Sequence, residues 1–157
     1  IARALQQQEF LYQDSDLYSF GQTKDFIHAT DPDLAQLYRV LNSWEMKEYL
    51  QKIIGVEAFG TIDCSGFVYR PKDYLLPHDD YLAKRKIAFT LHVSKDFART
   101  DGGALEFFQG NKIIASYPPR FNTLILFPVM EGTTIHQVSE VTGGKERYSI
   151  SGWFHDQ

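Results

Sequence analysis

The sequence has a single cysteine, Cys64, so no disulfide can form within the chain. A lone thiol of this kind suits a reducing compartment, the cytoplasm and/or the nucleus, and is read as a small buried hydrophobe. No stretch approaches the eighteen or so consecutive apolar residues that span a bilayer, which argues against a membrane partner. There is no excess of positive charge either. Lysine and arginine together number 16 against 20 aspartates and glutamates, a formal net charge of −4, so direct nucleic-acid binding is not expected. Internal repeats, low-complexity tracts and linker-like stretches are also missing. No initiator methionine or signal-peptide pattern precedes Ile1, which reads as a trimmed piece from which a targeting segment or second domain could have been cut.

What remains is an ordinary globular composition. The chain holds 157 residues, 43% hydrophobic and 23% charged, enough for one domain over 1–157 with its own core. Aromatic residues make up 15%, which leans towards β structure because flat rings suit a pleated surface. The N-terminal part, about residues 1–55, reads as helical. Residues 3–12 suggest a short helix, and 13–23 an irregular stretch or edge strand. Asp31 followed by Pro32 predicts a helix start, with Leu34, Leu37, Tyr38 and Leu41 on one face. Ser43 predicts a second start, with Met46, Tyr49, Leu50, Ile53 and Ile54 facing inward and Gly55 ending the helix. Trp44 is expected at a helix–sheet contact.

From about 56 to 157 the texture changes to short apolar runs punctuated by turns. Strands are predicted near 61–70, 74–80, 86–93, 104–109, 111–116, 122–128, 133–139 and 146–154, with a hairpin turn at Gln109-Gly110-Asn111. The fold class is therefore mostly β (α+β). It is a double-stranded β-helix, or jelly roll, with supporting N-terminal helices.

Only five histidines are available for chemistry. His78 and Asp80, two apart on a strand, would project to the same face. On its own this pair is equally a polar loop before a strand. His136, inside a later apolar strand, is equally a core histidine. Together the three make the two-histidine, one-carboxylate face of non-haem iron oxygenases, which leaves octahedral positions free. Arg147 and Ser149 also share a strand face in an apolar context. A buried guanidinium needs an anion, and a dicarboxylate's tail would supply one. Zinc in a hydrolase site is an alternative for the three ligands, but it leaves Arg147 without a role. Phe107, Phe108, Phe127, Trp153 and Phe154 read as core, His28 and His155 as surface or structural, and Lys84-Arg85-Lys86 as a solvated strand entrance.

In this order on a jelly roll, His78-x-Asp80, His136 and Arg147-x-Ser149 resemble the Fe(II)/2-oxoglutarate dioxygenases. The stretches LLPHDD (75–80), RKIAFTLHV (85–93), DGGALEFF (101–108), FNTLILFPV (121–129), IHQVSEV (135–141) and YSISGWFH (148–155), with DLYSFGQTKDF (16–26), are similar to the catalytic domain of the ribosomal prolyl hydroxylases of the Ofd/Tpa type. The resemblance implies Fe(II) held by His78, Asp80 and His136. It implies 2-oxoglutarate bound by Arg147 with help from Ser149, and Tyr69 near the co-substrate. It also implies O2 as oxidant, ascorbate as activator, and a prolyl residue of a small-subunit ribosomal protein as target, with succinate and CO2 as co-products. Position 92 departs from the family: a tyrosine usually stands where this chain has His92, whose reach towards the same carboxylate is shorter. A 2-oxoglutarate oxygenase acting on another protein or small molecule, or a non-catalytic jelly-roll sensor or scaffold, are the other readings.

Overall fold

The structure is a computed structural model that describes residues 1–82 and 84–157. Chain order runs from α1 (Ala2–Gln6) through β1 (Leu11–Asp14), β2 (Tyr18–Gln22), α2 (Pro32–Leu41) and α3 (Trp44–Ile54). Eight strands follow: β3 (Ile62–Tyr69), β4 (Tyr74–His78), β5 (Arg85–His92), β6 (Leu105–Gln109), β7 (Lys112–Tyr117), β8 (Thr123–Pro128), β9 (His136–Val138) and β10 (Arg147–His155).

The helix boundaries follow from their caps. Asp31 accepts hydrogen bonds from the backbone N–H groups of Asp33 and Leu34, at 2.9 and 3.2 Å. Ser43 does the same for Met46 at 3.2 Å, and Gly55 closes α3 in the left-handed region at φ 77°. Asp31→Ala should lower stability by about 1 kcal/mol, a fall of about 2–4 °C in Tm for a chain of this length. A melt no different from the parent would show that α2 does not depend on its cap.

Three helical expectations are corrected. The helix read over 3–12 is only α1. Residues 11–14 instead form β1, whose pairing with β2 (Leu11 opposite Gln22, Asp14 opposite Ser19) overrides the local helical preference. Tyr49 and Ile53 lie exposed on α3, because its inward face is centred on Leu50 and the stem of Lys47. Trp44 is exposed as well, stacking on Phe59 with ring centroids 4.8 Å apart rather than reaching the sheet.

The strands form one continuous antiparallel sheet in the order β7-β6-β9-β4-β2-β3-β10-β5-β8, with β1 added onto β2. It curls so that its two wings face each other. Phe107 of β6 meets Phe127 of β8 edge-on at 5.0 Å, although the two strands are not neighbours. This is the jelly roll expected, with its two faces belonging to one sheet. Alternation along the strands does the sorting. Ile87, Phe89, Ile150 and Phe154 point outward and pack under the helices with Leu5, Phe26, Leu34 and Leu50. Ala88, Leu105 and Phe127 point inward. Cys64 lies in the outer core and is fully buried, as expected, and burial pushes its thiol pKa up. The hairpin turn at Gly110 also falls where expected.

Candidate metal centre

Between the wings lies a cavity of about 630 Å³, well within the range of small-ligand sites. His78, Asp80, His136, Arg147, Ser149 and Tyr69 all line it. His78 ends β4 and pairs directly opposite His136, which opens β9. Asp80 lies just past the end of β4, so its side chain arrives from a turn rather than from the strand face inferred from sequence. It still joins the histidines: the candidate ligand atoms of the three residues lie within 4.8 Å of one another. His78 Nε2 is 3.4 Å from Asp80 Oδ1, and His136 Nε2 is 3.3 Å from Asp80 Oδ2.

Both histidines are oriented from behind. His78 Nδ1 lies 2.9 Å from the Leu76 carbonyl, and His136 Nδ1 lies 2.9 Å from the Thr134 carbonyl. A carbonyl only accepts, so Nδ1 carries a proton and each Nε2 is turned towards the carboxylate. Burial pushes the Asp80 carboxyl pKa up, but hydrogen bonds from His136 and His78 outweigh it and hold the group well below the usual range. Two imidazole nitrogens and an ionised carboxylate on one face, with open cavity opposite, suit a divalent transition metal.

Arg147 is 1% exposed. Its Nε donates to the Gly103 carbonyl at 2.8 Å and one terminal nitrogen donates to Ser149 Oγ at 3.1 Å. Its guanidinium carbon lies 4.9 Å from the centre of the Tyr69 ring, which faces it across the β3–β10 pairing. No carboxylate among the described residues comes within 4.0 Å of it. Burial draws its pKa down to about 10, which still leaves it charged at neutral pH. Burial also raises the Tyr69 pKa to about 12, so that hydroxyl stays protonated. An unpaired buried cation at the end of a cavity is costly unless a ligand supplies the anion.

His92 lies opposite Ser149 in the β5–β10 pairing. It is fully buried, and neither ring nitrogen has a hydrogen-bond partner among the described residues. Burial, with Arg147 adding to it, pulls its pKa to about 3, so the ring is neutral.

Sequence reading missed part of the wall. Phe127 is buried core, as expected, but it also lines the cavity, as does Trp153, which packs against that core. Arg85, expected as a solvated entrance, lies 3.5 Å over the Trp153 ring. Only the alternation along β10, which puts Trp153 on the same face as Arg147 and Ser149, could have signalled this. His155 is structural as expected, its Nε2 lying 2.9 Å from Asp63. Phe154 is core.

Comparison with known proteins gives the same picture. Residues 64–155 match the family model of the 2OG-Fe(II) oxygenase superfamily. The prolyl 3-hydroxylase OGFOD1 of Xenopus laevis is 38% identical over 148 residues, covering 90% of this chain and 29% of the relative. The prolyl 3,4-dihydroxylase OGFOD1 of Ostreococcus tauri is 31% identical over 165 residues, covering 92% and 32%. The chain thus spans less than a third of the length of these curated relatives. Among solved structures, a Pseudomonas putida prolyl-4-hydroxylase superposes with a TM-score of 0.81 at 18% identity, covering 99% of this chain and 84% of that one. A Trichoplax adhaerens prolyl hydroxylase, solved with a hypoxia-inducible-factor peptide, superposes at 0.76 and 16% identity, covering 98% and 76%. At these identities the likeness is one of fold.

Proposed function

The chain belongs to the 2OG-Fe(II) oxygenase superfamily, and from that membership we propose that it hydroxylates a prolyl residue of a protein substrate. Membership brings Fe(II), 2-oxoglutarate and O2 as cofactor and co-substrates, and the residues present fit them. His78, Asp80 and His136 would hold the metal, their Nε2 atoms and carboxylate already converging. When bound, iron with 2-oxoglutarate and O2 supplies oxidative decarboxylation to succinate and CO2, coupled to hydroxylation of an unactivated C–H bond.

The chain's own residues supply binding and shielding. Arg147 takes the distal carboxylate of 2-oxoglutarate, its fork already set by Gly103 and Ser149. Ser149 offers its hydroxyl to the same end, and neutral His92 contributes one N–H. Tyr69 covers the guanidinium face and keeps water off the pair. Phe127 and Trp153 wall the space in front of the ligand set. The observation that carries this reading is the buried Arg147, with no carboxylate partner among the described residues, in the same cavity as a converging His–Asp–His set.

The prolyl target is supported by the names of the curated relatives, prolyl 3-hydroxylase and prolyl 3,4-dihydroxylase. These favour attack at C3. A small-subunit ribosomal protein as substrate, and action in the cytoplasm and/or nucleus, rest on the subfamily resemblance of IHQVSEV and YSISGWFH together with the lone buried Cys64.

The test is succinate release from 2-oxoglutarate with Fe(II) and ascorbate, with and without a proline-containing peptide from a decoding-centre ribosomal protein. His136→Ala serves as the blank. Peptide-stimulated succinate and one added oxygen on the peptide are the expected result. Turnover that the peptide leaves unchanged would reject the proposed substrate. Absence of turnover, with no iron or 2-oxoglutarate binding, would reject the enzyme reading altogether.

A further inference from the structure

The strands that carry the metal-site residues are poorly tied to each other. β9 is three residues long, and its ladder with β4 has two pairs, Leu75 opposite Val138 and His78 opposite His136, with a register irregularity between them. Pro77 falls in that gap and has no N–H to donate. The position of His136 relative to His78 and Asp80 therefore needs another constraint.

Asp79, whose side chain is not one of the three candidate ligands, provides it. One of its oxygens, Oδ2, accepts the backbone N–H of Gly132 at 2.9 Å, across 53 residues of sequence. The other, Oδ1, accepts from the N–H of Tyr81 at 3.3 Å and so shapes the turn that carries Asp80. Gly132 sits in a tight turn closed by Thr133 N–H to the Met130 carbonyl at 3.2 Å, and by Met130 N–H to Thr134 Oγ1 at 3.2 Å. The Thr134 carbonyl at the end of that turn is the group that receives His136 Nδ1–H. A chain of bonds thus runs from Asp79 through the 130–134 turn to the ring of His136, and a second one runs from Asp79 to the backbone of Asp80.

We infer that Asp79 is a positioning residue, a brace that sets the separation of the His78–Asp80 arm from the His136 arm and so prearranges the metal site. The inference rests on the reading of His78, Asp80 and His136 as a divalent-metal site. Partners that orient metal ligands from behind are typically worth about 10- to 100-fold in metal affinity. The bond that spans the two arms is the one Oδ2 accepts from Gly132 N–H, so an uncharged oxygen in that place should keep the span, although an amide cannot also accept from Tyr81 N–H.

The experiment measures Mn(II) binding to the metal-free protein by loss of the free-ion electron paramagnetic resonance signal, without 2-oxoglutarate or peptide. Thermal melts in chelator run alongside. Asp79→Ala should raise the Mn(II) Kd about 10- to 100-fold with little change in the chelator melt, because Asp79 bonds only to turns at the cavity mouth. Asp79→Asn, which removes the charge and keeps an oxygen for Gly132 but not a second one for Tyr81 N–H, should bind clearly more tightly than Asp79→Ala. Parent-like binding by Asp79→Ala would overturn the brace. So would Asp79→Asn binding as weakly as Asp79→Ala, since the charge would then be what matters. If Asp79→Ala does not fold, Asp79→Asn decides alone: tight binding supports the brace and weak binding overturns it. Failure of the parent itself to bind Mn(II) would reject the metal site, and the brace with it.

Discussion

Arg147→Met is expected to weaken 2-oxoglutarate binding by about 2–5 kcal/mol, the usual cost of truncating one partner of a buried charge pair. At about 1.4 kcal/mol per tenfold this is a loss of about 30-fold to several thousandfold. Succinate production should fall to the blank at ordinary co-substrate concentrations. The loss should leave folding nearly untouched. In the free protein the guanidinium is buried with no carboxylate to offset its desolvation, and its bonds to Gly103 and Ser149 recover only part of that cost. Methionine fills similar volume without a charge. Arg147→Lys keeps the charge but loses the planar fork, and should bind more weakly than the parent and more tightly than Arg147→Met. Calorimetric titration of the Mn(II)-loaded protein with 2-oxoglutarate, paired with thermal melts, reads both quantities. Undiminished binding in Arg147→Met would remove the guanidinium from the co-substrate site. A large drop in Tm would mean that it is mainly a structural group.

Gly152→Ala is expected to cost more than about 3 kcal/mol, above the usual range for one added methyl in a packed interior. Gly152 lies mid-way along β10, between Cys64 of β3 and Phe89 of β5. A Cβ at this position would stand 1.8 Å from the Asp63 carbonyl oxygen and 3.1 Å from Cys64 Cα. Both are backbone atoms held in the β3–β10 ladder, so neither can swing aside as a side chain would. The strands would have to separate, opening the pairing that also places Arg147 opposite Tyr69. For a chain of this length the change corresponds to a fall of about 6–12 °C in Tm. A melt within 2 °C or so of the parent would show that the ladder at Gly152 has slack.

Residues whose role is set by neighbours in sequence were legible before any coordinates. Asp31, Ser43 and Gly55 act on backbone groups within four positions, so local chemistry alone marks both helices. The strands of the roll showed themselves as short apolar runs punctuated by turns. Its wings bury opposite faces of the same strands, as Ile87 and Phe89 against Ala88 demonstrate. His78, Asp80, His136, Arg147 and Ser149 could be singled out from the chain because few residue types can hold a metal or a carboxylate, and the structure brings all five to one cavity.

Only the tertiary structure decided what depends on contacts between distant segments. Leu11–Asp14 became a strand instead of a helix because β2 was there to pair with it. Tyr49, Ile53 and Trp44 stayed in solvent because the sheet meets α3 at Leu50 and Lys47. Arg85, Phe127 and Trp153 turned out to be cavity wall, and Asp79 reached Gly132 across 53 residues. The candidate site residues were thus nameable from the chain itself. Their convergence came only from curling the sheet, since hydrogen bonding and burial act on distances in space that sequence spacing does not encode.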